Sequence, residues 1–167
     1  ILDEVVSPDG TCRATVYSKR LNGSSFSFED EISVITEQED GLQWRVIYGD
    51  CTYRGLWWSP DSRKYVLALD YDDENRLTLS WLDRNSSSNL NAYLSMGVET
   101  TELRKYGYST PDGWPEIEYQ FLQWGTDSAS MLVYYVFEDS VGEDHSGYFW
   151  YNCETGAVDG ILEMDGR

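Results

Sequence analysis

The chain has 167 residues, 41% of them hydrophobic and 15% aromatic, which is enough for one domain with a packed core. Thirty acidic groups against 12 basic ones leave a net charge of −18, which argues against a nucleic-acid backbone or an anionic membrane surface as partner. There is no run of about 18 apolar residues, so no membrane-spanning helix is expected in the domain itself.

The chain opens on Ile1 without an initiator Met. It reads as processed or excised, with an export signal, a lipid anchor or a membrane helix as the expected preceding segment. The first phrase, "VVSPDGTCRATVYS" (5–18), places a polar turn between two strand signals. "WWSPDSRKYVLALD" (57–70) repeats it, and "QWGTDSASMLVYYV" (123–136) repeats it more loosely. The turn aspartates Asp9, Asp61 and Asp127 are spaced by 52 and 66 residues. The 14 extra residues match "SSSNLNAYLSMGVE" (86–99), where Leu90, Tyr93, Leu94 and Gly97 recur at helical spacing behind Ser88 or Asn89 as N-cap. The sequence therefore predicts three units, about 1–50, 51–114 and 115–167, with one short inserted helix in the second.

Unit one is predicted to run through strands Asp3–Val6, Arg13–Ser18, Glu31–Thr36 and Gln43–Tyr48. Unit two has strand signals at Arg54–Trp58, Lys64–Tyr71 and Leu77–Leu82, with a weaker fourth at 102–108. Unit three has them at Ile117–Trp124, Met131–Phe137, Tyr148–Cys153 and Ala157–Met164. Period-2 alternation in "CRATVYS" and "RLTLSWL" fits half-buried antiparallel strands. Pro8 and Pro60 preset φ for a type I turn, and the following Asp can accept hydrogen bonds from nearby amides. The three aspartates are thus expected to be structural. Pro111-Asp112-Gly113 looks similar but runs into Trp114-Pro115, from which no ladder strand can leave.

Four-stranded units with this turn and an aliphatic second strand resemble β-propeller blades, specifically the WD-like repeats of TolB-type propellers. The chain also resembles small propeller-like domains of unknown function from bacterial cell-envelope proteins. The resemblance implies an all-β, propeller-like array of three four-stranded antiparallel units, serving as a binding or scaffolding platform outside the cytoplasm. Closed propellers have 4–8 blades. Three units therefore imply a small array, a closure through two chains, or blades that lie outside this sequence.

Catalytic chemistry is sparse. Gly-x-Ser-x-Gly, His-Glu-x-x-His, phosphate-loop and dinucleotide motifs are all missing, so no catalytic residue and no cofactor are expected. The one histidine, His145, reads as a solvated hairpin-loop residue. Asp70, Asp72, Asp73 and Glu74 could offer oxygens to Ca²⁺, but they lack EF-hand spacing and sit where a polar hairpin turn is needed, so no metal site is assigned. A second acidic loop, Glu138–Asp144, takes the equivalent place in unit three. Cys12 and Cys51 could pair in an oxidising compartment, leaving Cys153 alone; otherwise all three are ordinary buried thiols. Trp57 and Trp58 should point to opposite sheet faces, and Trp114 is the candidate contact for a ligand or partner. The function expected from these signals is a non-catalytic protein-interaction or ligand-binding module of the cell envelope with a protein or small ligand, basic in character, as partner. The alternative is a glycan-directed hydrolase using a carboxylate pair.

Overall fold

The computed structural model describes residues 1–20, 30–71, 74–81, 90–93, 118–138 and 141–163. Within them the chain is all β. Sheet one is β1 (Asp3–Val6), β2 (Cys12–Arg20), β3 (Asp30–Gln38) and β4 (Gln43–Tyr48). Sheet two is β5 (Thr52–Trp58), β6 (Lys64–Tyr71), β7 (Glu74–Trp81) and β8 (Leu90–Tyr93). Sheet three is β9 (Glu118–Trp124), β10 (Ser130–Glu138), β11 (Asp144–Asn152) and β12 (Val158–Glu163). Each sheet keeps its strands in sequence order, and they pair antiparallel throughout sheets one and three and between β5 and β6, as short hairpin connections dictate. The chain divides into two compact units, Ile1–Asp73 with Thr78–Ala92, and Glu74–Leu77 with Tyr93–Arg167. The first holds sheet one and most of sheet two; the second holds sheet three.

In the first unit the register decides which side chains meet. Val5 lies opposite Ala14, Val16 opposite Val34, and Ile32 opposite Tyr48, so these residues share one face of sheet one. That face packs with Leu56, Trp58, Tyr65, Leu67 and Leu69 of sheet two in a single core. The Trp58 ring meets Tyr65 edge-on, with centroids 5.1 Å apart. Strand β6 is buried from Lys64 through Leu69 on both of its faces, which explains its near-continuous apolar run. Trp57 and Trp58 do point to opposite faces: Trp58 is core, and Trp57 is exposed and lies over Gly55. A Cβ at Gly55 would come within 2.3 Å of the Trp57 ring, so only glycine leaves room for the indole there.

In the second unit Tyr119, Phe121, Met131, Val133, Tyr135, Phe137, Phe149 and Tyr151 are buried, and alternation along β10 and β11 puts them on one face. Tyr135 contacts both Phe137 and Phe149 through ring packing.

Two expectations about local structure need correction. No helix occurs among the described residues, and Leu90–Tyr93, inside the stretch predicted to be the inserted helix, is strand β8. A four-residue apolar window fits either period, and β7 offers it a ladder partner in the sheet. The rest of 86–99 and the weak strand at 102–108 lie outside the described residues; in sheet two the fourth place is taken by β8. His145 is not in a solvated loop. β11 begins at Asp144, so His145 is half-buried, opposite Phe137, with the two rings stacked at 5.2 Å. The alternation of Tyr151, Phe149 and Gly147 continues through it, which extends the strand.

The core of the first unit should be far less tolerant than its surface. Leu67→Ala, at a fully buried site, is expected to cost about 2–5 kcal/mol, and Ile47→Ala on β4, more than half exposed, under about 1 kcal/mol. Urea denaturation of the two variants checks the difference.

Candidate functional site

The residues that the sequence singled out most clearly form the three turns. In each, the fourth residue's amide donates to the first residue's carbonyl: Gly10 to Ser7 at 2.9 Å, Ser62 to Ser59 at 2.9 Å, Ser128 to Gly125 at 3.1 Å. In each, the first residue's amide also reaches the carbonyl five residues on, at Cys12, Lys64 and Ser130. The fourth residue is left-handed every time, with φ of 75° at Gly10, 60° at Ser62 and 57° at Ser128. Glycine accepts this freely, whereas serine costs about 1 kcal/mol or more.

The aspartates fill the turns from within. Asp9 Oδ1 accepts from the Ser7 hydroxyl (2.7 Å), the Thr11 amide (3.0 Å) and the Thr11 hydroxyl (2.8 Å). Asp61 Oδ1 accepts from the Ser59 hydroxyl (2.6 Å) and the Arg63 amide (3.1 Å). Its Oδ2 faces the buried Lys64 ammonium at 3.6 Å. Burial opposes the charge on Asp61, but the Ser59 hydroxyl, the Arg63 amide and Lys64 outweigh it and hold the carboxyl below its usual range. The third turn has Gly125 where the others have serine. Asp127 Oδ1 occupies the freed space, 2.8 Å from where a Cβ would stand. It accepts from the Ser130 and Ala129 amides at 2.9 and 3.0 Å, and Oδ2 accepts from the Ser130 hydroxyl at 2.8 Å. The Ser130 amide and hydroxyl and the Ala129 amide hold Asp127 below the usual carboxylate range.

In the first unit the turns of sheets one and two are tied together. The Asp9 amide donates to Ser62 Oγ at 3.0 Å. Three more bonds cross the same junction: Trp58 Nε1 to the Val5 carbonyl (3.1 Å), the Tyr53 hydroxyl to Asp3 Oδ2 (2.6 Å), and Thr36 with Tyr65 (3.3 Å). Burial first, and then the Asp3 carboxylate, push the Tyr53 phenol well above its ordinary pKa, so it stays a donor. Beside the first turn a cleft of about 400 Å³ is lined by Thr11, Cys12, Gln38, Glu39 and Asp40. Among its lining residues are carboxylates and a recessed thiol. The Gln38 side-chain nitrogen is buried without an acceptor. The Cys12 thiol lies 3.8 Å from the Thr11 hydroxyl, which is no base.

The other candidates are not brought together. Asp70 is paired with Arg54, which competes for the carboxylate any cation would need. Asp72, Asp73 and Trp114 lie outside the described residues, and no group of three metal-ligating side chains occurs among those described. Cys12 and Cys51 are thiols buried in the same core, and Cys153 is a half-buried thiol. The junction bonds and the left-handed serines have no local signature. Only the Ser at the position of Gly10 hints at the latter.

Removing Asp61 should take from the buried Lys64 ammonium its carboxylate neighbour at 3.6 Å. Asp61→Ala is expected to lose about 1–3 kcal/mol, and pairing it with Lys64→Met should be non-additive by about 0.5–3 kcal/mol in a double-mutant cycle. The lowered pKa values at Asp61 and Asp127 mean that their contribution is complete above the unfolded value, near 4, and is lost as pH falls through the folded values. Acid titration of stability should therefore be shallower in Asp61→Asn than in the parent chain.

No protein-family model and no curated protein sequence matches the chain. Among solved structures it is similar to the acylaminoacyl peptidase of Pyrococcus horikoshii, with 14% identity and a TM-score of 0.53, over 92% of this chain and 23% of that one. A chain from Bacteroides ovatus described as a dipeptidyl aminopeptidase IV aligns over 96% of this chain and 33% of its own, with 11% identity and a TM-score of 0.37, too loose to argue from. The chain thus spans about a quarter of the first of these, over its propeller-type part. The functional expectation is corrected by this finding: the solved chain it resembles is a peptidase, and both the cell-envelope interaction module and the glycan hydrolase are set aside. What the likeness shows for the chain itself is a propeller-like, all-β fold.

Proposed function

We propose that this chain is the propeller-type segment of a peptidase-type protein, holding or admitting peptide while the bond is cut by other parts of that protein. The observation that carries the reading is the likeness of 92% of this chain to 23% of the P. horikoshii acylaminoacyl peptidase. The sequence supports the division of labour. A covalent peptidase needs a nucleophile beside a base that a third group orients. This chain has no Gly-x-Ser-x-Gly, and its one histidine is stacked on Phe137. The finer TolB-type, WD-like assignment belongs to the same proposal, supported by the recurrence of the Ser-Pro-Asp turn and its left-handed fourth residue. In this reading Asp9, Asp61 and Asp127 hold turns and take no part in bond cleavage.

The test uses fluorogenic acyl-aminoacyl and dipeptidyl substrates. The natural protein that contains this chain is expected to turn them over, and residues 1–167 alone are not. Turnover by 1–167 that a single Asp or Glu substitution abolishes would overturn the proposal. So would a full-length protein inert toward every peptide substrate.

A further inference from the structure

The first unit contains two Asp-Gly steps, Asp9–Gly10 and Asp40–Gly41, in turns of similar build. In each turn the aspartate is the third residue and the glycine the fourth. Gly10 has φ of 75° and Gly41 φ of 85°. Each glycine amide donates to the carbonyl three residues back, at Ser7 or Gln38, over 2.9 Å. Beyond its chain neighbours, a Cβ at either glycine would meet nothing within 4 Å, so neither step is crowded. The two carboxylates are held very differently. Asp9 Oδ1 accepts from the Ser7 hydroxyl and from the amide and hydroxyl of Thr11, and the Asp9 amide is itself tied to Ser62 of sheet two. Among the described residues, Asp40 Oδ1 accepts from the Leu42 amide alone, at 3.0 Å. Glu39, Asp40 and Gly41 are all exposed, at the tip of the β3–β4 hairpin.

We infer that Asp40–Gly41 is a site of spontaneous isoaspartate formation, and that the hydrogen bonds on the Asp9 carboxylate protect Asp9–Gly10 from the same reaction. The Gly41 amide nitrogen attacks Asp40 Cγ of the neutral carboxyl. A carbon–nitrogen bond forms, the amide proton and the carboxyl hydroxyl leave together as water, and a succinimide ring closes. Water then opens the ring. Cleavage of the new bond restores aspartate; cleavage of the original peptide bond leaves Gly41 attached through Cγ, as isoaspartate. Water is the only co-reactant, and the net change in mass is zero. Glycine suits the step because no Cβ hinders its nitrogen. At Asp9 the carboxyl can turn toward the Gly10 nitrogen only by breaking charge-assisted bonds, which are the stronger kind. At Asp40 there is one such bond to break, on an exposed hairpin tip of the kind that opens locally at low cost. Gln38, Glu39 and Asp40 also line the cleft beside the first turn, so the carbon that isoaspartate adds to the main chain reshapes a wall of that cleft. The inference stands independently of the peptidase reading.

The natural protein that contains this chain is incubated folded for several weeks at mildly acidic pH, then denatured and digested with trypsin. The two steps fall in separate peptides, one ending at Arg13 and the other spanning 21–45. Electron-transfer fragmentation locates isoaspartate within each. The fraction at Asp40 should exceed that at Asp9 by at least about tenfold, as the extra bonds on Asp9 require. Asn22–Gly23 shares the second peptide, but its product has lost ammonia and differs in mass, whereas the Asp40 product does not. Thr11→Val, checked for folding by circular dichroism, removes one donor from Asp9; it should raise isoaspartate at Asp9 about fivefold and leave Asp40 unchanged. Isoaspartate absent at Asp40, a fraction at Asp9 equal to or above that at Asp40, or no rise at Asp9 in folded Thr11→Val would overturn the inference.

Discussion

A carboxylate folded back into a four-residue turn is the constraint on which the architecture rests. At Asp9, Asp61 and Asp127 the acceptor sits where the chain must reverse between two strands, and it gathers amides and hydroxyls that would otherwise face the turn unpaired. With the turn closed, the strands on either side leave in fixed register, and register decides which side chains reach the core. In the first unit the turn does a second job. The Ser62 hydroxyl accepts the Asp9 amide, so a residue strained into the left-handed region is also the one that joins two sheets. Gly10, free of strain, has no hydroxyl to offer. At this one backbone position the first two turns thus differ: Gly10 takes the left-handed conformation without strain, and Ser62 gives up that ease for a bond to the neighbouring sheet.

The same position shows how a turn survives loss of its first serine. In sheet three Gly125 makes room, Asp127 moves into the space, and Ser130 supplies the hydroxyl from the other side. The backbone bonds are unchanged. What recurs between the units is the set of satisfied amides, and the side chains that satisfy them are interchangeable.

Much of this was legible from residues alone. Strands β1, β4 and β6 have the bounds that their alternation and turn signals predict, because local chemistry at both ends of each agrees with the pattern between them. The three aspartates announced the turns. The strand at Leu90–Tyr93 did not announce itself, since four residues carry too little periodicity to outweigh a plausible helix cap. His145 misled because Asp and Glu around it look like loop composition, while its pairing with Phe137 depends on a partner strand. The junction bonds from Trp58, Tyr53 and Thr36 span 29 to 53 residues of sequence, and no local pattern encodes them. The sorting of aromatics between the two faces of sheet three was hidden for a related reason: Tyr and Trp are ordinary strand formers, and only the register shows which of them share a side.

Sheet three carries no Lys or Arg, and this has a practical consequence. Trypsin cuts after Lys or Arg, and amine-directed labels need Lys, so the stretch from 106 to 166 offers neither a cleavage site nor a side-chain amine. Whether folded or unfolded, it leaves a tryptic digest as one piece, released after Lys105 and closed by Arg167. Limited tryptic proteolysis of this chain therefore reports opening only of its remaining residues. Following the third sheet calls for an enzyme that cuts at aromatic or acidic residues, both of which it carries in abundance.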